Sequence, residues 1–162
     1  MMFNNRNICI RIAALSDLPQ ICGLYEEFYA YNAALQPDYY RAGKETGAYP
    51  RAVITGDSGA IFVAADQDDR IVGFVHIESG KTQAFSSLVE HNYVEVIDII
   101  VTRNHRNQGI GAMLMERVKE WGISKDLDYI ELFVLSDAKG EIAFYEREGF
   151  KEMSKTMRAP LK

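Results

Sequence analysis

A chain of 162 residues, 48% hydrophobic and 25% charged, has the apolar material for one domain with a real core and too little length for two ordinary ones. Its formal net charge of −5 and pI near 5.2 argue against nucleic acid or anionic lipid as a partner, because the surface as a whole repels polyanions. No run is long enough to span a membrane, and the opening "MMFNNRNICIRIAALSD" lacks the apolar segment of a signal peptide, so a cytoplasmic protein is expected.

Residues 8–15 ("ICIRIAAL") alternate apolar and polar and predict a strand. Ser16 or Asp17 then caps a helix with Pro19 in its first turn. Leu18, Ile21, Cys22, Tyr25, Phe28 and Tyr29 recur on it at helical spacing and give one buried face. Between Ala33 and Gly59, two prolines and scattered tyrosines suggest short helical pieces joined by loop. "AIFVAAD", the turn "QDDR" and "IVGFVHIES" then read as a hairpin, followed by a strand over residues 93–101. A helix starts at about Gln108, with Ile110, Met113, Leu114, Val118 and Trp121 on its apolar face. Residues 129–135 form another strand. "GEIAFYEREGF" is a short helix stopped by Gly149, and "KEMSKTMR" (residues 151–158) predicts a final edge strand. The order β, helical region, β-β-β, α, β, α, β is that of a single mixed α/β domain over residues 1–162, a mixed sheet with helices on its faces.

Cys9 and Cys22 form no CxxC pair and have no histidine at metal-binding spacing, so buried reduced thiols and no metal site are expected.

The stretch "RNHRNQGIGAML" (residues 103–114) stands where strand hands over to helix. Amides at a helix N-terminus lack partners, and the helix dipole adds partial positive charge there. Glycines at 109 and 111 let an anion come close to them, and Arg103, His105 and Arg106 add basic groups in an acidic protein. That combination describes a phosphate or pyrophosphate site; the alternative is that both glycines merely permit a tight turn. A nucleoside triphosphate loop would need Lys-Ser/Thr after Gly111, where Ala112-Met113 stand, and a dinucleotide fingerprint would need glycine at Leu114.

On these residues the chain resembles the GNAT superfamily of N-acetyltransferases, whose acetyl-CoA signature is Arg/Gln-x-x-Gly-x-Gly/Ala opening a helix after a strand. Arg106, Asn107, Gln108, Gly109, Ile110 and Gly111 match it, and "AFYEREGF" follows at the family's distance. The resemblance implies a mostly antiparallel, twisted sheet, and a bulge near residues 98–100 that splays the 93–101 strand from the next. It implies acetyl-CoA as co-substrate, with the backbone of residues 106–111 on its pyrophosphate. The main chain of Ile99, Ile100 and Val101 would pair with its pantetheine arm. The acceptor would be a small-molecule or peptide amine, and a homodimer is compatible with the family. One departure is Ala138, where relatives often carry an asparagine that contacts CoA; Ser136 or Asp137 are the neighbouring substitutes.

Acetyl transfer to an ammonium requires loss of a proton before attack and protonation of the departing thiolate. The resemblance points to Glu95 as the base, six residues before Val101, with Asp98 as its rival on the opposite strand face unless a bulge turns it. It points to Tyr145 as the acid, against an alternative of core packing beside Phe144 and Phe150. The Ile100 amide, freed by the bulge, would face the carbonyl oxygen. His76 reads as a strand-surface or core histidine, and Tyr39 and Tyr40 in "QPDYYRAG" as staple residues or acceptor wall. A longer acyl-CoA donor, or a CoA-binding module without catalysis, remains open beside the transferase reading.

Overall fold

The segment GAIFVAA is buried at every position after its glycine. A strand apolar on both faces belongs in the middle of a sheet with cover on each side. The computed structural model of the chain places it there and describes residues 7–162; the first six residues, the start of the stretch considered for a leader, lie outside it. Along the chain run β1 (Cys9–Ile12), α1 (Leu18–Leu35), α2 (Ala48–Thr55), β2 (Gly59–Ala65), β3 (Ile71–Lys81), β4 (Asn92–Val101), α3 (Ile110–Ser124), β5 (Tyr129–Leu132) and α4 (Lys139–Arg147). The strands form one sheet in the order β1-β2-β3-β4-β5. All pairs are antiparallel except β4–β5, for which α3 is the crossover that parallel pairing requires. No helix among the described residues is long and apolar enough to cross a membrane.

Each face of the sheet carries its own core. On one, Phe62, Val75, Ile77, Val94 and Val96 meet Ile110, Leu114, Met115 and Val118 of α3. On the other, Ile61, Val63, Phe74 and Ile100 meet Ile21, Leu24 and Tyr25 of α1 and Val53 of α2. Full burial of each such side chain contributes about 1.5–3 kcal/mol, which is why the periodic stripes of α1 and α3 dictate where the helices lie.

The structure departs from the sequence reading in four places. The first helix continues unbroken through Leu35, past the boundary expected near residue 33. β5 ends at Leu132 rather than 135, because its pairing partner turns away there. Residues 151–158 form no edge strand and are exposed. As a strand, that segment would present Met153 and Met157 on a face shared with Lys151 and Lys155. So little apolar area does not offset the roughly 1–2 kcal/mol per residue that ordering costs. Cys9 is exposed and Cys22 half-buried rather than both buried. The outer strand β1 turns Ile8 and Ile10 to the α3-side core, and the alternation leaves Cys9 facing outward.

Asp17, immediately before α1, is 4% exposed and accepts from Ala14 N–H at 2.8 Å and twice from the Arg11 guanidinium, at 2.7 and 3.0 Å. Those Arg11 bonds hold its carboxyl below the ordinary value, against the upward push of burial. A depressed carboxylate adds stability above its unfolded pKa and loses it as pH falls through the folded one. Arg11 is partly solvated, so Asp17→Asn is expected to cost roughly 1–2 kcal/mol, about 3–6 °C in Tm, at pH 7. The deficit relative to the parent shrinks toward pH 3. Thermal melts of both proteins across that range check it.

Candidate active site

Along β4 the register with β3 slips once: His76 faces Asp98 while Ile77 faces Val96, so Ile97 is an extra, unmatched residue. The bulge therefore lies one residue before the 98–100 stretch expected from the sequence. Because side chains alternate with period two, one inserted residue reverses the parity of everything after it. Val94 and Val96 point into the α3-side core, and so do Ile99 and Val101, whereas Ile100 joins the α1-side core. Glu95 and Asp98 consequently share the α1 face instead of lying on opposite ones.

β5 pairs with β4 only over residues 93–96, so from the bulge onward β4 has a free edge. Thr102 N–H donates to Val72 O at 2.9 Å. By strand alternation the amides of Ile100 and Asp98 also face β3, and those of Ile99 and Val101 face the gap. The Ile100 amide, expected from the sequence to be free, is thus turned to β3 opposite Phe74.

The gap widens into a cavity of about 980 Å³, with Ile99 and Val101 on one wall, residues 133–135 on the other, and Tyr145 of α4 above. At one end lies the N-terminus of α3. Gly109, its N-cap, has φ +81°, a left-handed conformation that side chains resist. The first intrahelical bond there is Met113 N–H to Gly109 O, and no side chain caps the helix, so the amides of Ile110, Gly111 and Ala112 have no helical acceptor. Gly111 serves packing instead, since a Cβ on it would lie 3.2 Å from the Phe144 ring, and its absence lets α4 approach α3. Of the two glycines, one shapes the backbone and the other makes room for a neighbour.

The Arg106 side chain does not point at those amides. Its Nε donates to Val101 O at 2.9 Å, it lies 3.6 Å from Glu27, and it stacks 5.4 Å from the Tyr31 ring centre, which ties the loop to α1. Asn107 adopts φ +58°, and the Gln108 side chain donates to Asn104 O at 3.1 Å. His105 lines the cavity, and its Nδ1 is buried without a partner among the described residues.

At the other end stands Asp98. Burial, reinforced by Glu45, pushes its carboxyl up to about 6, while contact with the Tyr25 hydroxyl pulls the other way. Tyr25 is fully buried and lies 3.0 Å from His76 Nδ1. His76, also fully buried, lies 3.2 Å from Glu78 through Nε2, and Tyr49 donates to the same Glu78 oxygen at 2.7 Å. Desolvation lowers the His76 pKa against the pull of Glu78, so the ring is neutral at pH 7. The sequence reading missed Tyr25 and Glu78, because no spacing connects a residue of α1 with two of β3. The only trace was the i, i+2 placement of His76 and Glu78 on one strand face.

Glu95 is exposed, pairs in register with Glu78 and Glu131, and is not part of the cavity wall. Tyr145 is buried against Phe144 and Phe150 and lines the cavity, with burial, then Glu141 and Asp98, raising its pKa above the ordinary value. Ala138 is buried at the start of α4; Asp137 accepts from Gln36 at 2.9 Å, and Ser136 is exposed. Tyr40 lines the cavity, whereas Tyr39 is exposed beneath Arg158.

An uncharacterized N-acetyltransferase of Methanocaldococcus jannaschii is 29% identical over 143 residues, which are 88% of this chain but 60% of that protein, so the chain spans well under two thirds of that relative's length. Among solved structures, a mutant of the BH1408 protein of Bacillus halodurans superposes with TM-score 0.91 at 23% identity, covering 95% of this chain and 99% of that one. Aminoglycoside N-acetyltransferase AAC(6')-Iy, solved in complex with CoA, superposes with TM-score 0.73 at 17% identity, over 95% and 99% of the two chains; at these identities the likeness is one of fold. The sequence model of the acetyltransferase (GNAT) family matches residues 19–150, most of the chain, and the chain belongs to that family.

Proposed function

We propose that this protein is an N-acetyltransferase that moves the acetyl group of acetyl-CoA to an amine by direct attack. The observation that carries the reading is one continuous cavity with free helix amides at one end and a half-buried carboxylate at the other. The backbone of Arg106 to Gly111 and the first turn of α3 suit the pyrophosphate, since Gly109 removes the side chain that would hold it away. The gap-facing peptide groups of Ile99 and Val101 suit a pantetheine arm lying beside β4 like a further strand.

Asp98 rather than Glu95 takes the amine's proton in this reading, because it lies in the cavity wall and burial raises its affinity for a proton. Moving a proton from an alkylammonium of pKa about 10.4 to a group near 6 is uphill by about 6 kcal/mol. That fits within the barrier of about 16 kcal/mol that corresponds to a turnover of about 10 per second. Tyr145 holds its proton more tightly than an ordinary tyrosine. Its hydroxyl therefore stabilises charge growing on the sulfur by donating a hydrogen bond, since full transfer to a thiolate of pKa about 8.5 is uphill.

The test is thiol release from acetyl-CoA over a panel of polyamines, aminoglycosides, free amino acids, and peptides with a free N-terminus or lysine. Release above the enzyme-free control is expected with at least one class, together with a higher Tm in acetyl-CoA than in ATP or NADH. The absence of both release and a selective rise in Tm would overturn the reading.

A further inference from the structure

Behind Asp98, whose carboxyl touches the Tyr25 hydroxyl and which stands opposite His76 on β3, the side chains form a line: Tyr25 lies 3.0 Å from Nδ1 of His76, and His76 lies 3.2 Å from Glu78. Glu78, at the far end, is 29% exposed, while Tyr25 and His76 are sealed in the core. Three contacts need three protons. Neutral Tyr25 supplies one and neutral His76 one, so with both carboxyls ionised one contact is left as acceptor facing acceptor. A single added proton completes the line in either of two ways.

With the proton on Asp98, the carboxyl donates to Tyr25, Tyr25 donates to Nδ1 of His76, and Nε2–H donates to Glu78. With it on Glu78, that carboxyl donates to Nε2, Nδ1–H donates to Tyr25, and Tyr25 donates to Asp98. The two arrangements hold the same protons. They interconvert when three of them shift together, each along its own hydrogen bond, and the imidazole changes tautomer.

We propose that this line is a proton relay that carries the amine's proton from Asp98 to Glu78 and from there to solvent beside α2, outside the lining of the acyl cavity. It rests on Asp98 being the base. The step balances: the N–H bond of the ammonium breaks, an O–H bond forms on Asp98, and the three-proton shift leaves Asp98 ionised and Glu78 protonated, ready to deprotonate to water. A neutral imidazole suits this role because it can accept at one nitrogen while donating at the other. A buried ring held between two partners gains by having every contact filled. The charged and titratable groups facing Asp98 are Tyr25 and Tyr29 of α1, Glu45 of the α1–α2 loop, Tyr49 of α2 and Tyr145 of α4. Those facing Glu78 are His76, Tyr49 and, in register on β4, Glu95. Tyr49 donates to Glu78, so it holds the outlet in place without blocking it.

Two measurements test the relay, one without substrate. In the free protein, the nitrogen NMR signals of His76 should move from one tautomer pattern toward the other as pH is taken through the Asp98 titration, followed by its carboxyl carbon signal. Tyr25→Phe, which removes one oxygen from the line, should abolish that response and raise the Asp98 titration by about half a unit or more. In acetyl transfer with an amine identified by the panel, Asp98 enters the first turnover already ionised, so Glu78→Gln should slow the turnovers after the first about tenfold or more relative to the first. Gln keeps a hydrogen-bond acceptor but cannot take the proton, so acetyl-CoA affinity should stay unchanged. A purely structural line predicts lower Tm in both variants with later turnovers as fast as the first and an unresponsive His76; that result overturns the relay. If no amine in the panel is acetylated, the transferase reading fails separately, and the His76 response still decides whether the line couples Asp98 to Glu78.

Discussion

Asp98→Asn is expected to lower kcat/KM for the amine by about 10²–10⁴-fold while leaving acetyl-CoA affinity nearly intact. Asparagine preserves the size of the side chain and its contact with Tyr25 but accepts no proton. Parental kcat/KM should fall below about pH 6, where the carboxyl becomes protonated. That limb runs in the direction set by an acid whose ionised form works, and it should vanish in the variant. Glu95→Gln gives the discriminating comparison. Should Glu95→Gln lose both rate and acidic limb while Asp98→Asn keeps them, the assignment of the base is reversed. Steady-state kinetics between pH 5 and 9 on the three proteins settle the choice.

Gly109→Val is expected to weaken acetyl-CoA binding by at least an order of magnitude at a modest cost in stability. The φ of +81° makes any side chain there strained, by roughly 1–3 kcal/mol for a branched one, so the turn that presents the free amides is expected to distort. Gly111→Val should behave differently. Its first carbon already meets the Phe144 ring at 3.2 Å, so the larger loss is in Tm. Calorimetric titration with acetyl-CoA, paired with melts, separates the two effects. Unchanged affinity in a folded Gly109→Val protein would show that the turn serves only the chain's own path.

Much of the scaffold was legible because it follows from periodicity. The both-face burial of β2, the alternation in β1 and the apolar stripe of α3 are each dictated by what the segment must hide. The turn at the head of α3 was legible for a related reason: glycines before a helix are a local backbone property, as the φ of Gly109 shows. The face taken by Asp98 was not. Residues 96–101 are apolar except for Asp98, so nothing in their pattern reveals where the parity changes, and a bulge one residue earlier turned Asp98 to the face of Glu95. The line through Tyr25, His76 and Glu78 was equally hidden, since it exists only once α1 is laid against β3. Cys9 was misjudged because a short outer strand buries only one of its two faces.

Ile97 acts like a single inserted letter that shifts a reading frame. The same residue that swings Asp98 toward α1 also marks where β5 stops following β4, so the free edge of β4 and the carboxyl of Asp98 open at one step along the strand. Substitutions at neighbouring positions change the size and polarity of either site but cannot move one relative to the other. A deletion of Ile97 would separate the two: Asp98 would follow Val96 in unbroken alternation and keep the α1 face, while β5 could zip further along β4 and close its free edge. In this fold the spacing between the free edge of β4 and the Asp98 carboxyl is therefore a counted quantity, measured in residues, and it varies only in whole steps.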